Sequence, residues 1–202
     1  MNQDKKNDFS NLIVYLIGIP AVGKYTVAKA IERLTGAKVV DNQLINTPVF
    51  SVVGYDGTDA FPFPKGAGKY IETIQRAVLA VIRECCRPDS SFVFTNELDA
   101  NDPGDKAWYR RVERTAKHRN ATFMPVWLTC DAAVIRQRKS TPDRRRRLKD
   151  IDLTNILKWS NEFEVLVMPH RHALAIDTSN LLPEQTAQLI LDHARLLVRQ
   201  QE

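Results

Sequence analysis

The chain predicts an α/β protein: one five-stranded parallel sheet with helices covering both faces. Three observations carry this. Five short apolar runs recur along the chain: "NLIVYLI" (11–17), "AKVV" (37–40), "SSFVFT" (90–95), "TFMPVWLT" (122–129) and "HALAID" (172–177). Stretches with helical spacing separate them. The first run ends at a glycine that opens a short loop, directly before a helical pattern. Strands buried on both faces read as continuous hydrophobic runs, and strands alternating with helices build a parallel sheet with right-handed crossovers.

The elements follow in order. In "NLIVYLI" the β-branched residues and the absence of alternation mark a central strand. After Gly23, the residues Val27, Ala28, Ile31 and Leu34 recur at helical spacing, and Gly36 is a stop signal. Residues 47–68 hold three prolines and four glycines and read as a long irregular loop. Residues 69–87 carry Ile71, Ile74, Val78, Val81 and Ile82 on one helical side. Asp102-Pro103 is an N-cap followed by proline at the first helical position. Pro125, inside the fourth run, implies a bulge or an end effect. A helix starts at Asp131, another is expected near 152–162, and a last one spans 183–200 with Ala187, Ile190, Leu191, Ala194 and Leu197 inward. The expected organisation is a flexible 1–10 followed by a single domain over 11–202.

Composition narrows the class. With 202 residues, 44% hydrophobic and 26% charged, the chain suits one soluble globular domain. No apolar stretch is long enough to span a bilayer, and residues 1–10 lack the apolar core of a signal peptide, so a cytoplasmic protein is expected. Cys85, Cys86 and Cys130 have no metal-like spacing and read as reduced thiols. His170 and His172 share a strand face, but two ligands alone make a poor metal site. Net charge is +5, and the basic residues concentrate in "RQRKSTPDRRRRLK" (136–149), a segment that must meet anions.

The loop after the first strand is the most specific motif. Gly18-Ile19-Pro20-Ala21-Val22-Gly23-Lys24-Tyr25-Thr26 follows a strand and opens a helix, the context in which such a pattern cradles phosphates. Glycines let backbone N–H groups turn towards phosphate oxygens, and the helix start adds its positive end. Lys24 reaches the β- and γ-phosphates, and Thr26 is available to the α-phosphate. The residue after the lysine is ordinarily Ser or Thr, whose hydroxyl binds Mg²⁺. Tyr25 cannot replace it, so Mg²⁺ would be held by nucleotide phosphates and water. A plain glycine turn is the competing reading.

Layout and motif together resemble the nucleoside-monophosphate-kinase-like group of P-loop proteins, which includes adenylate, shikimate and gluconate kinases and chloramphenicol phosphotransferase. The resemblance covers about residues 11–200, and only the phosphate loop is specific. It implies a three-layer P-loop NTPase fold with sheet order 2-3-1-4-5, ATP and Mg²⁺ as cofactors, and an arginine-rich lid over 136–149. By the same resemblance Asp41, just past the second strand, holds and deprotonates the acceptor hydroxyl; a helix N-cap is the alternative. Arg136 and Arg144 match the lid positions that neutralise the transferred phosphoryl group. Asp177 and Thr178 lie in the loop that packs on the adenine base, although Asp177 also suits a cap or a local backbone bond. The usual aspartate after the third strand is replaced by Thr95-Asn96-Glu97, where Glu97 would hold a magnesium-bound water and Asn96 would contact the acceptor. Phe50 and Tyr55 in the 47–68 loop are candidates for the acceptor pocket.

The expected function is an ATP-dependent small-molecule kinase, a phosphotransferase with an alcohol group as acceptor. Shikimate is disfavoured because "TNEL" stands where its kinases carry a glycine run. A polynucleotide 5′-hydroxyl kinase is the alternative, weakened because no RNA-binding motif appears and no aromatics interleave with the basic segment. A nucleotide-binding regulatory module without transfer chemistry also stays open. A GTPase is disfavoured by the lack of Asn-Lys-x-Asp. The partners expected are a small-molecule hydroxyl acceptor, with nucleic acid less favoured and no membrane. Acceptor identity and oligomeric state are not legible.

Overall fold

The computed structural model describes residues 9–55, 63–138 and 163–199. Five strands lie among them: β1 (Leu12–Ile17), β2 (Lys38–Asp41), β3 (Phe92–Asn96), β4 (Thr122–Thr129) and β5 (Leu174–Asp177). They form one parallel sheet in the order β2-β3-β1-β4-β5, as the resemblance implied. The helices are α1 (Lys24–Thr35), α2 (Asn42–Val53), α3 (Gly68–Glu84), α4 (Pro103–His118), α5 (Ala132–Arg138) and α6 (Pro183–Arg199).

Strand alternation sorts the core into two layers. Leu12, Val14 and Leu16 join Val93, Met124, Val126 and Leu128 against Val27, Ala28 and Ile31 of α1 and Ala187, Ile190 and Leu191 of α6. On the opposite face Ile13, Tyr15 and Ile17 join Phe92, Phe94, Phe123 and Trp127 against Leu79 and Ile82 of α3 and Trp108, Tyr109 and Val112 of α4. All six residues of β1 are buried, which explains why that run shows no polar alternation. Each such aliphatic side chain contributes about 1.5–3 kcal/mol by leaving water.

Several expectations need correction. Residues 47–53, read as loop, are the second half of α2, with Pro48 inside the helix. Proline deprives the Leu44 carbonyl of its helical donor. Leu44 and Pro48 are exposed, so water can satisfy that group. Phe50 and Tyr55, the candidate pocket aromatics, pack with Phe63 of the same stretch: Phe50–Tyr55, Phe50–Phe63 and Tyr55–Phe63 centroids lie 4.8, 5.5 and 5.6 Å apart. Phe9, placed in a flexible terminus, is buried. Its carbonyl accepts from the Ser91 hydroxyl, and Arg195 lies over its ring. Pro125 causes no bulge: the β1–β4 register is continuous from Leu12↔Thr122 to Ile17↔Trp127. The β4–β5 ladder starts one residue later, at Val126, so Pro125 sits at an edge on that side. The helix expected near 152–162 and the 139–149 part of the basic segment lie outside the described residues.

Far from the carboxyl ends of the strands, Arg119 ties the base of the sheet together. Its guanidinium donates to the carbonyls of Ile82, Arg87, Pro88 and Ser90 at 2.5, 2.7, 3.1 and 3.3 Å, and it lies over the Phe92 ring. It thereby satisfies carbonyls at the end of α3 and in the turn into β3.

Candidate active site

Ligands of open parallel sheets bind beyond the carboxyl ends of the strands. The loop after β1 stands there, and its conformation follows from its glycines. A side-chain carbon on Gly18 would lie 2.4 Å from the Leu128 carbonyl oxygen, so only glycine lets the loop pass β4. Gly23 has a φ of 100°, in the left-handed region that favours glycine, and stands at the N-terminus of α1. Val22 is fully buried, and Ile19 and Ala21 pack against the same core, which anchors the loop between its glycines. No side chain caps α1 and no acidic residue stands in its first turn. A helix N-terminus whose capping residue is glycine turns its opening N–H groups to the loop, where an anion is favoured. The Lys24 ammonium folds over the loop and donates to the Gly18 and Ile19 carbonyls at 2.5 and 2.9 Å. Tyr25 is half-buried and Thr26 is exposed.

Asp41 ends β2 and is 2% exposed. In register it faces Thr95 of β3, which in turn faces Leu16 of β1. Asp41 is thus two strand spacings, roughly 10 Å, from the strand that launches the loop. That gap suits a phosphoryl group and an acceptor hydroxyl. Val39 packs in the α1 layer, so by alternation Asp41 faces the α1 side as well. The Thr95 hydroxyl donates to Asp41 Oδ1 at 2.5 Å. Asp41 stands at the N-cap of α2 but makes no side-chain capping bond, so the carboxylate serves the neighbouring strand and not the helix. One residue further, Asn96 Nδ2 donates to Asn42 Oδ1 at 2.9 Å. Two consecutive polar rungs therefore join β2 to β3 where the strands end. Glu97 follows, half-buried.

Among the described residues, the basic segment enters the site through Arg138, which the sequence reading did not single out. Arg136 is exposed on α5, and Arg144 lies outside the described residues. Arg138 instead turns inward. Its Nη2 donates to the Thr178 carbonyl at 2.8 Å, and its Nη1 lies 3.2 Å from the Thr178 hydroxyl and 3.5 Å from the Val22 carbonyl. Thr178 is buried, and its hydroxyl lies 3.0 Å from both the Val22 and Thr129 carbonyls, donating to one at a time. Arg138 and Thr178 thus lace the phosphate loop to the ends of β4 and β5. Helical spacing carried the signal: Arg138 is three residues after the buried Ile135 and so shares its face, whereas Arg136 is exposed. Asp177 closes a local turn, accepting from the Ser179 N–H and hydroxyl. These two bonds, the hydroxyl's first, hold its carboxyl below the usual range, with a smaller contribution from Arg138.

Comparison with known proteins gives fold without family. No protein-family model matches the chain, and no curated protein matches it either. Solved structures do. A gluconokinase from Sinorhizobium meliloti superposes with a TM-score of 0.59 at 14% identity, covering 95% of this chain and 95% of that one. A sugar kinase from Janibacter sp. gives 0.58 at 13%, covering 94% and 95%. A shikimate kinase from Acinetobacter baumannii, solved with shikimate, gives 0.51 at 17%, covering 95% and 96%. The fold is therefore that of the P-loop kinases in the nucleoside-monophosphate-kinase-like group. Among the described residues, no helix is long and apolar enough to cross a membrane.

Proposed function

We propose that this chain is an ATP-dependent phosphotransferase that moves the γ-phosphoryl group of ATP to a hydroxyl of a small-molecule acceptor. One observation carries the reading: a glycine-capped helix N-terminus with Lys24 folded over its loop stands two strands from a buried carboxylate, Asp41. The loop amides and Lys24 hold the β- and γ-phosphates. Asp41 accepts the proton of the acceptor hydroxyl as its oxygen bonds to the γ-phosphorus, the bond to the β–γ bridging oxygen breaks, and ADP leaves. Arg136 and Arg144 act from the basic segment on the charge that spreads over the transferred group. Thr26 serves the α-phosphate, Asp177 and Thr178 the base-side loop, and Asn96 the acceptor.

The donor set fits Mg²⁺ only indirectly. Tyr25 offers no hydroxyl at the usual ligand position, and no cluster of three or more His, Cys, Asp or Glu residues suited to a metal occurs among the described residues. Mg²⁺ would be held by phosphate oxygens and water, with Asp41 and Glu97 accepting from its water shell, and would supply charge neutralisation.

Asp41→Asn tests the assignment. General-base catalysis contributes about 10²–10⁴-fold, so turnover, or slow ATP hydrolysis where no acceptor is supplied, should fall by that factor while ATP affinity is retained. Full turnover in Asp41→Asn removes Asp41 from the chemistry.

A further inference from the structure

We propose that the outer face of α4 is a docking groove for an acidic segment of a partner protein. This surface lies apart from the transfer chemistry. α4 turns Trp108, Tyr109, Val112 and Ala116 into the core layer opposite α1, so its other side faces away from the sheet.

A cleft of about 790 Å³ opens on that other side. Pro103, Ala107 and Met168 give it apolar walls, and Lys106, Arg110 and Arg114 supply three cations. Val167, 64% exposed, extends the apolar margin beside Met168. The cations recur every four residues, about 6 Å apart along the helix. All three are exposed, and none forms an ion pair among the described residues. Cations elsewhere on the surface do: Arg76 and Arg111 bind Glu72, Arg33 binds Glu184, Arg87 binds Asp89 and Arg195 binds Asp192.

The acids of α4 do not cancel the row. The Asp105 carboxyl accepts from the Asp99 N–H through Oδ2 and is raised to about 6, first by burial and further by Asp102 and Asp99. Glu113 is half-buried and makes no ion pair among the described residues. It lies close enough to Tyr109 to add to the burial that raises that phenol. A cleft lined by one sign of charge concentrates the opposite sign.

The row spans about 12 Å, more than one small anion can cover. Carboxylates on every second residue of an extended chain, or every fourth of a helix, recur at about 6–7 Å and match it. The phosphates of a single nucleic-acid strand would meet the same cations. No aromatic side chain lines the cleft among the described residues, so there is no platform on which bases could stack. The apolar walls instead suit the hydrocarbon stems of a peptide's side chains. Charge and walls together favour a protein segment.

The test uses the full-length protein and three fluorescein-labelled probes followed by anisotropy: a decapeptide of alternating Glu and Ala, the same peptide with Gln for Glu, and a single-stranded oligonucleotide of equal length. The Glu peptide should bind, more weakly as salt rises from about 0.05 to about 0.15 M, and the Gln peptide should not. Lys106→Ala/Arg110→Ala/Arg114→Ala should weaken the Glu peptide about tenfold. Arg110→Glu, a single exposed change, should weaken it at least about threefold. Saturating ATP and Mg²⁺ should leave its affinity unchanged. Four results each overturn the assignment: no binding of the Glu peptide, equal binding of the Gln peptide, unchanged affinity in both variants, or tighter binding of the oligonucleotide. Displacement by ATP would place the peptide at the phosphate loop and overturn it as well.

Discussion

The two halves of the site differ in charge and in construction. On the side of β4 and β5, the loop ends are laced by Arg138 and Thr178 to the phosphate loop, and the chain beyond α5 is densely basic. On the side of β2 and β3, the strands end in the rungs Asp41–Thr95 and Asn42–Asn96, and the chain that follows is acidic. One half is built to meet a polyanion. The other holds a carboxylate in place and offers acceptors of hydrogen bonds. Side chains and helix ends set the local field on each side.

The comparison is broken most severely at its shared edge. Lys24→Ala should leave the fold intact, since the side chain belongs to neither core layer. Nucleotide-dependent turnover should fall at least ~10²-fold, and stabilisation by ATP in a thermal-shift assay should disappear. An unchanged ATP shift would refute the phosphate-loop assignment.

Within the basic half, Arg138→Ala should destabilise by about 2–3 kcal/mol, because buried carbonyl and hydroxyl partners lose a charged donor. Arg136→Ala, at an exposed position, should stay within about 0.5 kcal/mol. Urea midpoints of the two variants measure the difference, and equal losses would deny Arg138 its lacing role. Within the acidic half, Thr95→Val should cost about 1–3 kcal/mol, since the Asp41 carboxylate loses a buried donor; Thr95→Ser should recover most of it. A silent Thr95→Val would show that the rung does not hold Asp41.

The smallest effect is the pH response of the acidic half. Asp105 has a folded value of about 6, raised from its ordinary range. The folded state therefore binds a proton that the unfolded chain has released, and stability falls as pH rises from about 4 to about 6. The full shift corresponds to about 3 kcal/mol, and solvent screening of this partly exposed carboxyl leaves of order 1–2 kcal/mol. Asp105→Asn keeps an acceptor for the Asp99 N–H and should flatten that segment of a Tm-against-pH curve. An identical slope in the variant would place the titration elsewhere.

The strands, the sheet order by resemblance and the phosphate loop were legible because each rests on local pattern: an unbroken apolar run, a helical spacing, a glycine pair around a lysine. Residues 47–53 were misread because counting breakers gives every proline equal weight, whereas Pro48 lies on an exposed turn where its missing donor costs little. That Phe50, Tyr55 and Phe63 meet edge to face was not legible, because the contact joins a helix to chain beyond it. The inward turn of Arg138 was signalled by its helical offset from the buried Ile135, which the resemblance to a lid does not weigh.

By itself the sequence determined which segments must be buried, where a phosphate can be cradled and how charge divides along the chain, because hydrophobic period, glycine placement and side-chain ionisation are properties of neighbouring residues. Only the tertiary structure decided that Asp41 bonds Thr95, 54 residues away, and that Arg138 meets Thr178, 40 residues away. Those partners are chosen by strand order and register. Register brings together residues that no local spacing relates, and it is settled only when both faces of the sheet are packed.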